Sequence, residues 1–384
     1  MPQKPYTVAT VQRDPGLILD ALAVTLAPVA PWRLSTSVPV LHPEVYVRNM
    51  RWQRGQPVLV TVLPHGLIDT PRFKDSPVAR IYEGHGAMRY RLAGPDADLR
   101  YPVCAELATL GGTDYVIMPV PLSDGRLAYL SVTSDAAGGF SDADLAMIHA
   151  AVPGFGQAIE IEYLHVALGS LLEVYLGRNA AARVLGGAFK RGTGEAMQAV
   201  IWTCDLRGFT SLTESRPAAD MNRLLDLYFD AVGRPIEANG GEILKFIGDA
   251  VLAVFPLGED PTDAAIRALR AAEQAVDALA AASAALVATG GPALELGVAL
   301  HAGEVFYGNI GTERRLDFTV IGPAVNEAAR VEPLCKTLGT PLLMTDVVRD
   351  LLGDAAPALA SMGAHALRGA SAPRTLFTLP RWVR

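Results

Sequence analysis

Cysteine is scarce in this sequence, and the cysteines that are present form no motif. Cys104, Cys204 and Cys335 lie far apart among 384 residues, and none of them belongs to a CxxC pair. Such spacing argues against a disulfide framework and against a zinc site, and it is typical of a reducing compartment. The seven histidines are equally scattered. We therefore expect a cytoplasmic location.

Long apolar runs and clusters of basic residues are also missing. The most apolar stretches, residues 16–31 and 275–288, are interrupted by Asp20 and Asp277. Neither supplies the roughly 20 continuous apolar residues of a membrane span. The first residues lack the apolar core of a signal peptide. Because the formal net charge is −7 and lysine and arginine do not cluster, we expect a globular protein that binds neither nucleic acid nor a membrane.

The length of the chain is enough for two or three domains with substantial cores. Residues 1–140 mix short β-runs with turns that contain proline and glycine, and the clearest runs are residues 114–122 and 127–133. This pattern predicts a first domain of α/β type that ends near residue 140.

A helix is predicted to follow this domain. Ser141 is a suitable N-cap, Asp144 completes a capping box, and apolar residues continue at helical spacing to about residue 176. Pro153 would bend or interrupt this helix. A polar stretch then ends near residue 195, so we assign residues 141–195 to a helical linker.

Residues 196–384 alternate between strands and helices. The order strand, helix, hairpin, helix, strand is typical of a ferredoxin-like α+β domain. The predicted elements are strand 199–204, helix 217–238, hairpin 243–255, helix 261–288, strands 294–301 and 316–321, helix 323–337, strand 341–345 and closing strands 364–367 and 375–379.

Two aspartates in this half are candidates for metal binding. Asp205 follows the apolar run 199–204 directly, and Asp249 lies at the tip of the hairpin 243–255. If the first strand lies against the hairpin, the two carboxylates meet, and they repel each other unless a cation lies between them. Such a pair suits Mg²⁺ and phosphoryl chemistry. For each aspartate taken alone, a helix cap or a turn residue remains the alternative.

Four stretches of this half resemble the class III adenylate/guanylate cyclases in order and spacing: VIWTCDLRGFTSL, GGEILKFIGDAVLAVF, GVALHAGEVFYGNIG and DFTVIGPAVNEAARV. The resemblance covers residues 196–384 and implies conversion of ATP to 3′,5′-cyclic AMP and pyrophosphate. It implies two divalent ions, Mg²⁺ or Mn²⁺, on Asp205 and Asp249. It also implies a dimer with two active sites at its interface, each taking the metal pair from one protomer and the remaining residues from the other.

The resemblance also assigns residues to the nucleotide. Lys245 and Thr319 match the positions that read the purine edge, Asn326 the residue that orients the ribose, and Arg330 the residue that stabilises charge on the phosphorus. Lys245 can donate a hydrogen bond to adenine N1, whereas guanine carries N1–H and would need a carboxylate there. Asn326 and Arg330 are spaced i,i+4 on one helical face. Without the resemblance, Asn326 would be interpreted as a helix cap and Arg330 as a surface cation.

Further residues of the nucleotide site follow from the same resemblance. Phe209 and Thr210 lie in the turn after the first aspartate, where backbone N–H groups can cradle phosphate oxygens. Arg368 matches, on a shorter motif, a basic residue that reaches the triphosphate. A threonine at position 319 resembles the subgroup of soluble cyclases whose members often respond to bicarbonate or CO₂. This resemblance makes bicarbonate a candidate activator. We interpret Asp317 as structural.

The first domain carries a weaker resemblance. The passage from residue 114 into the helix after Ser141 resembles the end of a GAF domain, a fold that senses small molecules, so residues 1–140 are predicted to be a GAF-like sensor. For the fold of residues 1–140, a PAS-like fold or a fold particular to this protein remains an alternative. For their role, the alternative is a domain that only promotes dimerisation. For the second half the alternatives are a catalytically silent nucleotide- or signal-binding module and a guanylate cyclase. Because one chain carries every matched residue, we predict a homodimer.

Overall fold

The computed structural model describes residues 16–41, 43, 45–368 and 372–383. The chain divides into two compact units, of which the first ends at Tyr175 and the second begins at Leu176. The first 15 residues of the predicted sensor domain lie outside the described residues.

The first unit is built on a six-stranded antiparallel sheet in the order β3-β2-β1-β6-β5-β4. Its strands are β1 (Arg33–Pro39), β2 (Val45–Gln53), β3 (Gln56–Pro64), β4 (Met88–Arg91), β5 (Asp114–Pro121) and β6 (Leu127–Ser134). The two strands predicted from the sequence are confirmed as the hairpin β5–β6, in which Asp114 pairs with Ser134 and Pro121 with Leu127.

Helices cover both faces of this sheet. They are α1 (Gly16–Thr25), α2 (Pro71–Lys74), α3 (Pro77–Tyr82), α4 (Pro102–Thr109) and α5 (Asp142–Leu176). α1 and α5 pack on one face, where Leu19 and Ile159 join Leu34 and Val132 in the main core of the unit. α3 and α4 pack on the other face in a second, smaller core.

Helix α5 begins and ends where the sequence predicts. The capping box is confirmed, because the Ser141 N–H donates to Asp144 Oδ2 at 2.9 Å and the Asp144 N–H to Ser141 Oγ at 3.2 Å. Of the two effects expected of Pro153, an interruption of the helix is wrong, since α5 runs through this residue, whereas a bend stays a prediction. Ile148 and Phe155 on either side are buried against the sheet, which offsets the lost backbone hydrogen bond.

Residues of the predicted linker belong to both units. α5 up to Tyr175 packs in the first unit, whereas α6 (Arg178–Leu185) packs in the second, where Ala180 joins Ala199 and Val305 in a core. The structure therefore divides residues 141–195 between two cores.

The second unit contains eight strands, seven of them in the order β13-β14-β12-β10-β7-β9-β8, with β11 paired to β10. The strands are β7 (Gly194–Leu206), β8 (Glu242–Ile247), β9 (Ala250–Pro256), β10 (Leu296–Gly311), β11 (Leu316–Ile321), β12 (Leu342–Thr345), β13 (Ala360–His365) and β14 (Arg374–Thr378). The helices are α6, α7 (Phe209–Ser215), α8 (Ala218–Ala238), α9 (Pro261–Ala288), α10 (Pro323–Val331), α11 (Leu334–Thr337) and α12 (Asp346–Leu352).

The ferredoxin-like prediction is confirmed for this unit. The chain order β7-α8-β8-β9-α9-β10 folds into a central sheet ordered β10-β7-β9-β8, with antiparallel neighbours throughout. α8 and α9 cover one face, where Trp202, Tyr228 and Phe255 are fully buried. β11 and α10 contribute Phe318 and Ala328 to the core on the other face.

Helix α9 packs against this core through a face that is rich in alanine. By length and composition alone it is the one helix among the described residues that could cross a membrane. Six of its alanines are fully buried, and their small side chains let α9 approach its neighbours closely: Ala264, Ala265, Ala268, Ala271, Ala272 and Ala275. This face of α9 therefore packs inside the second unit.

Strand β10 is longer than the predicted strand 294–301. The sequence GNIG at 308–311 belongs to this strand and pairs with β11, and the turn follows it. A Cβ atom on Gly308 would lie 2.3 Å from the carbonyl oxygen of Thr193, so the position accepts only glycine. Glycine here marks a close backbone approach, which sequence reading does not distinguish from a turn.

Candidate active site

Strand pairing brings Asp205 and Asp249 together. In the antiparallel pair of β7 and β9, Cys204 lies opposite Val251, so the next residue of β7 reaches the tip of the β8–β9 hairpin. Gly248 forms that tip with a φ of 66°, a conformation that glycine adopts without strain. The predicted placement of the first strand against the hairpin is therefore confirmed.

The two carboxyl groups meet in a partly buried site. Burial, a hydrogen bond to Asp205 and the charge of Asp205 together raise the pKa of Asp249 to about 7. Asp205 Oδ1 is buried and has no hydrogen-bond partner within the described part of the chain. Two carboxyl groups that meet around an unsatisfied oxygen form a site suited to a hard cation.

A third carboxyl group, that of Glu332, lies near this pair and has no counterpart in the sequence predictions. Burial and the charge of Asp205 raise the pKa of Glu332 to about 7, and Asp249 adds to this effect while Arg207 opposes it. Gly297, the β10 residue opposite Asp205, leaves room for it, because a Cβ atom there would lie 2.6 Å from Glu332 Oε1. Only the tertiary fold reveals this neighbour, since Glu332 is far from both aspartates in sequence.

Lys245 contacts an acidic residue that sequence reading treated as structural. Lys245 Nζ donates to Asp317 Oδ2 at 2.5 Å, and this bond holds the pKa of Asp317 below its usual range. Thr319 is two residues further along β11, on the same face of the strand, and is 8% exposed. The interpretation of Asp317 as a structural residue stays a prediction, and its contact with Lys245 shows which side chain its carboxylate would position.

Asn326 and Arg330 lie on the first and last turns of α10. The opposite side of this helix is anchored by buried Ala324 and Ala328. Asn326 is exposed and Arg330 is partly buried. Within the described ranges neither side chain has a hydrogen bond or an ion pair, so both are available to a ligand.

The remaining predicted residues lie in connecting segments. Gly208, with a φ of 73°, precedes α7, which begins at Phe209; this ring is partly buried against the core, and Thr210 is exposed. Arg368 is exposed between β13 and β14. Among the described residues, no hydrogen bond or ion pair joins the aspartate pair to Lys245, Asn326 or Arg330.

Comparisons with known proteins agree with this arrangement. A family model described as the adenylate and guanylate cyclase catalytic domain matches residues 195–379. An adenylate cyclase of Anabaena cylindrica is 39% identical over 162 residues, which are 42% of this chain and 32% of that protein. An uncharacterized protein of Mycobacterium tuberculosis is 34% identical over 206 residues, which are 52% of this chain and 35% of that protein. The chain thus spans about a third of the length of these curated relatives.

One solved structure shares the fold over a larger part of the chain. The structure of a bacterial light-regulated adenylyl cyclase is 22% identical and covers 70% of this chain and 87% of its own, with a TM-score of 0.52. At this level of identity the likeness concerns the fold alone.

Proposed function

We propose that the chain converts ATP to 3′,5′-cyclic AMP and pyrophosphate, because residues 195–379 match the family model of the adenylate and guanylate cyclase catalytic domain. The observation that carries this proposal is the Asp205–Asp249 pair, two carboxyl groups whose repulsion a divalent cation between them would relieve. In the reaction the ribose 3′-oxygen bonds to the α-phosphorus, the bond to the pyrophosphate oxygen breaks, and the hydroxyl proton is released.

Asp205 and Asp249 would hold two divalent ions, Mg²⁺ or Mn²⁺. The unsatisfied Asp205 Oδ1 and the oxygen-only donor set fit hard cations. Such ions, when bound, lower the pKa of a hydroxyl nucleophile and neutralise charge on departing pyrophosphate. No group of three or more His, Cys, Asp and Glu side chains suited to a metal is found in the described part of the chain.

The other residues would bind and orient the nucleotide. Asn326 would orient the ribose, and the permanent charge of the Arg330 guanidinium would stabilise the charge that spreads over the phosphorus. Phe209 and Thr210 would contribute backbone N–H groups to the triphosphate, and Arg368 a side-chain cation. The free side chains of Asn326 and Arg330 support these roles.

Base selection would depend on Lys245, Asp317 and Thr319. The carboxylate of Asp317 accepts a hydrogen bond from the ammonium of Lys245 and limits the rotation of this side chain. Lys245 would donate to adenine N1, and Thr319 Oγ1 would accept from the N6 amino group. Guanine presents N1–H to the same lysine, which places two donors against each other. This chemistry favours ATP over GTP.

We further propose that the active site forms between two copies of the chain. The aspartate pair of one protomer would face Lys245 and Arg330 of its partner. Three large apolar side chains near the lysine support a contact surface there, since Phe246, Ile247 and Ile321 are each more than half exposed.

The first unit would regulate the second as a GAF-like sensor in a cytoplasmic enzyme. Its antiparallel sheet, covered by helices on both faces, supports a ligand-binding role. Removal of this unit is the test, because a fragment that begins at Leu176 and keeps the turnover and dimer affinity of the full chain would contradict regulation.

Replacement of Lys245 by glutamate tests base selection. Purified full-length protein is expected to form cyclic AMP from ATP and little cyclic GMP from GTP. Lys245→Glu should lower the turnover of ATP at least about tenfold, because a charged donor to adenine N1 is lost. The products are quantified by chromatography with Mn²⁺ and with Mg²⁺.

The matched control is Lys190→Glu, which reverses an exposed charge outside the site and should leave turnover unchanged. Equal turnover of ATP and GTP by the unmodified protein, or no cyclic product from either, would contradict the proposal. The same assay with and without bicarbonate at constant pH tests whether bicarbonate activates the enzyme, as the threonine at position 319 suggests. Unchanged turnover would contradict this hypothesis.

A further inference from the structure

The first unit contains a cavity with a polar floor. Its volume is about 220 Å³, and it lies on the sheet face that α3 and α4 cover. The floor is formed by side chains that alternate along β1 and β6: Arg33, Ser35 and Ser37 from β1, and Tyr129, Ser131 and Thr133 from β6. The intervening Leu34 and Val132 point to the opposite face and pack in the main core.

A face that served packing alone would not need so many hydroxyl groups. Transferring a hydroxyl from water to a covered surface costs free energy unless it finds a partner. Part of the floor is satisfied internally, since Asn49 Nδ2 donates to Ser37 Oγ at 3.0 Å and to Tyr129 OH at 3.1 Å. This network fixes one end of the cavity as a rigid polar surface.

The other end of the cavity carries an arginine without a partner. Arg33 is partly buried, lines the cavity, and has no hydrogen bond or ion pair to any residue that the structure describes. Burial, followed by the charge of Arg51, lowers the pKa of Arg33 from its usual value. By contrast, Arg89 of the neighbouring β4 is paired with Asp114 at 2.7 Å.

Two hydroxyl groups lie next to this free cation. Arg33 is directly opposite Thr133 in the pairing of β1 with β6, and Ser35 is opposite Ser131. The hydroxyls of Ser35 and Thr133 have no side-chain hydrogen bond within the described ranges. The nearby carboxylate of Glu106 is engaged by Arg72 at 3.0 Å. One cation and two hydroxyl donors therefore line this end of the cavity, and among the described residues neither Glu106 nor Asp75, which also lines the cavity, forms an ion pair with Arg33.

The rest of the cavity is mostly apolar, with Arg72, Asp75 and Ser76 as further polar lining residues. Its walls include Val47, Leu63, Phe73, Val78 and Leu107. A cavity of about 150 Å³ holds a benzene molecule, so this one suits a single ring or a short chain with one polar group. An occupant must satisfy the free cation at one end and bury apolar surface at the other.

We propose that this cavity binds a small organic carboxylate, whose oxygens accept hydrogen bonds from Arg33, Ser35 and Thr133 and whose apolar part packs against Val47 and Leu107. The chemistry selects monoanions of about one ring in size over neutral molecules of the same shape. The site is separate from the proposed nucleotide site, and its occupation is measurable without enzymatic activity.

Calorimetric titration of the full-length protein tests this site with two pairs of probes. Benzoate and hexanoate are compared with benzyl alcohol and hexanol, which have similar shape and no charge. We expect both carboxylates to bind at millimolar concentration or below and both alcohols to bind at least about tenfold more weakly, since charge-assisted hydrogen bonds are lost. Arg33→Gln should weaken the carboxylates by a similar factor and leave the alcohols unchanged.

Two more variants keep the test decisive. Thr133→Val removes one hydroxyl at nearly constant volume, so carboxylate binding should weaken even if the arginine variant fails to fold. Arg54→Gln is the matched control, because this exposed arginine pairs with Asp135 and does not line the cavity. The proposal is overturned if acids and alcohols bind equally, if Arg33→Gln and Thr133→Val bind carboxylates as the unmodified protein does, or if neither carboxylate binds at millimolar concentration.

Discussion

Asp249→Asn is expected to lower the rate of cyclic AMP formation at least about a hundredfold, the loss typical when charge stabilisation is removed from an active site. Asparagine is nearly isosteric and can still hydrogen-bond to Asp205, so the hairpin tip is retained. The substitution removes one of the two negative charges that would hold divalent cations at this edge of the sheet. Turnover is measured with saturating ATP and with Mn²⁺ and Mg²⁺ in turn.

A second readout separates cation binding from catalysis. Mn²⁺ should raise the melting temperature of the unmodified protein, because a ligand that binds only the folded state stabilises it. Asp249→Asn should reduce that shift. The matched control is Asp230→Asn on α8, which removes an exposed carboxylate paired with Arg234 and should change neither quantity. A variant at Asp249 with normal turnover would contradict the metal role of the pair.

The sequence predicts this pair because local signals determine its surroundings. Apolar residues define the strand that ends at Asp205, and Gly248 with Asp249 defines the turn of the hairpin. The same local signals predict α9 at its observed bounds, Pro261–Ala288, and the capping box of α5. To predict that the two aspartates meet, only one assumption about the tertiary structure was needed, namely that the strand and the hairpin are neighbours in the sheet. The ferredoxin-like order of elements implies this neighbourhood.

Other parts of the site lie beyond local reasoning. Glu332 is near the aspartates because β10 pairs with β7 and leaves a glycine beneath it. Asp317 bonds to Lys245 because β11 approaches β8 across the sheet face. In the first unit, the alternation Arg33, Ser35, Ser37 is visible in the sequence, but only the helices that cover that face make it a cavity. Contacts between distant segments carry no local signal.

Mixing two inactive variants is expected to restore activity if the active sites form between protomers. Asp249→Asn disables the metal pair, and Arg330→Ala removes the cation proposed to act from the partner chain. When both are co-expressed in equal amounts, about half of the dimers are mixed. Each mixed dimer has one site with both substitutions and one site with neither. Purification through two different tags isolates the mixed dimers, whose turnover should therefore reach about half of that of the unmodified protein.

The same logic supplies a control that should not recover. Lys245→Glu and Arg330→Ala would alter residues that one protomer contributes to the same site, so each site of a mixed dimer carries one of the two changes. Activity should stay at the level of the separate variants. If each chain instead held a complete site, neither mixture would recover, because every site would lack one residue. Recovery in the first mixture and not in the second thus requires that Asp249 and Arg330 act from different chains, while Lys245 and Arg330 act from the same one.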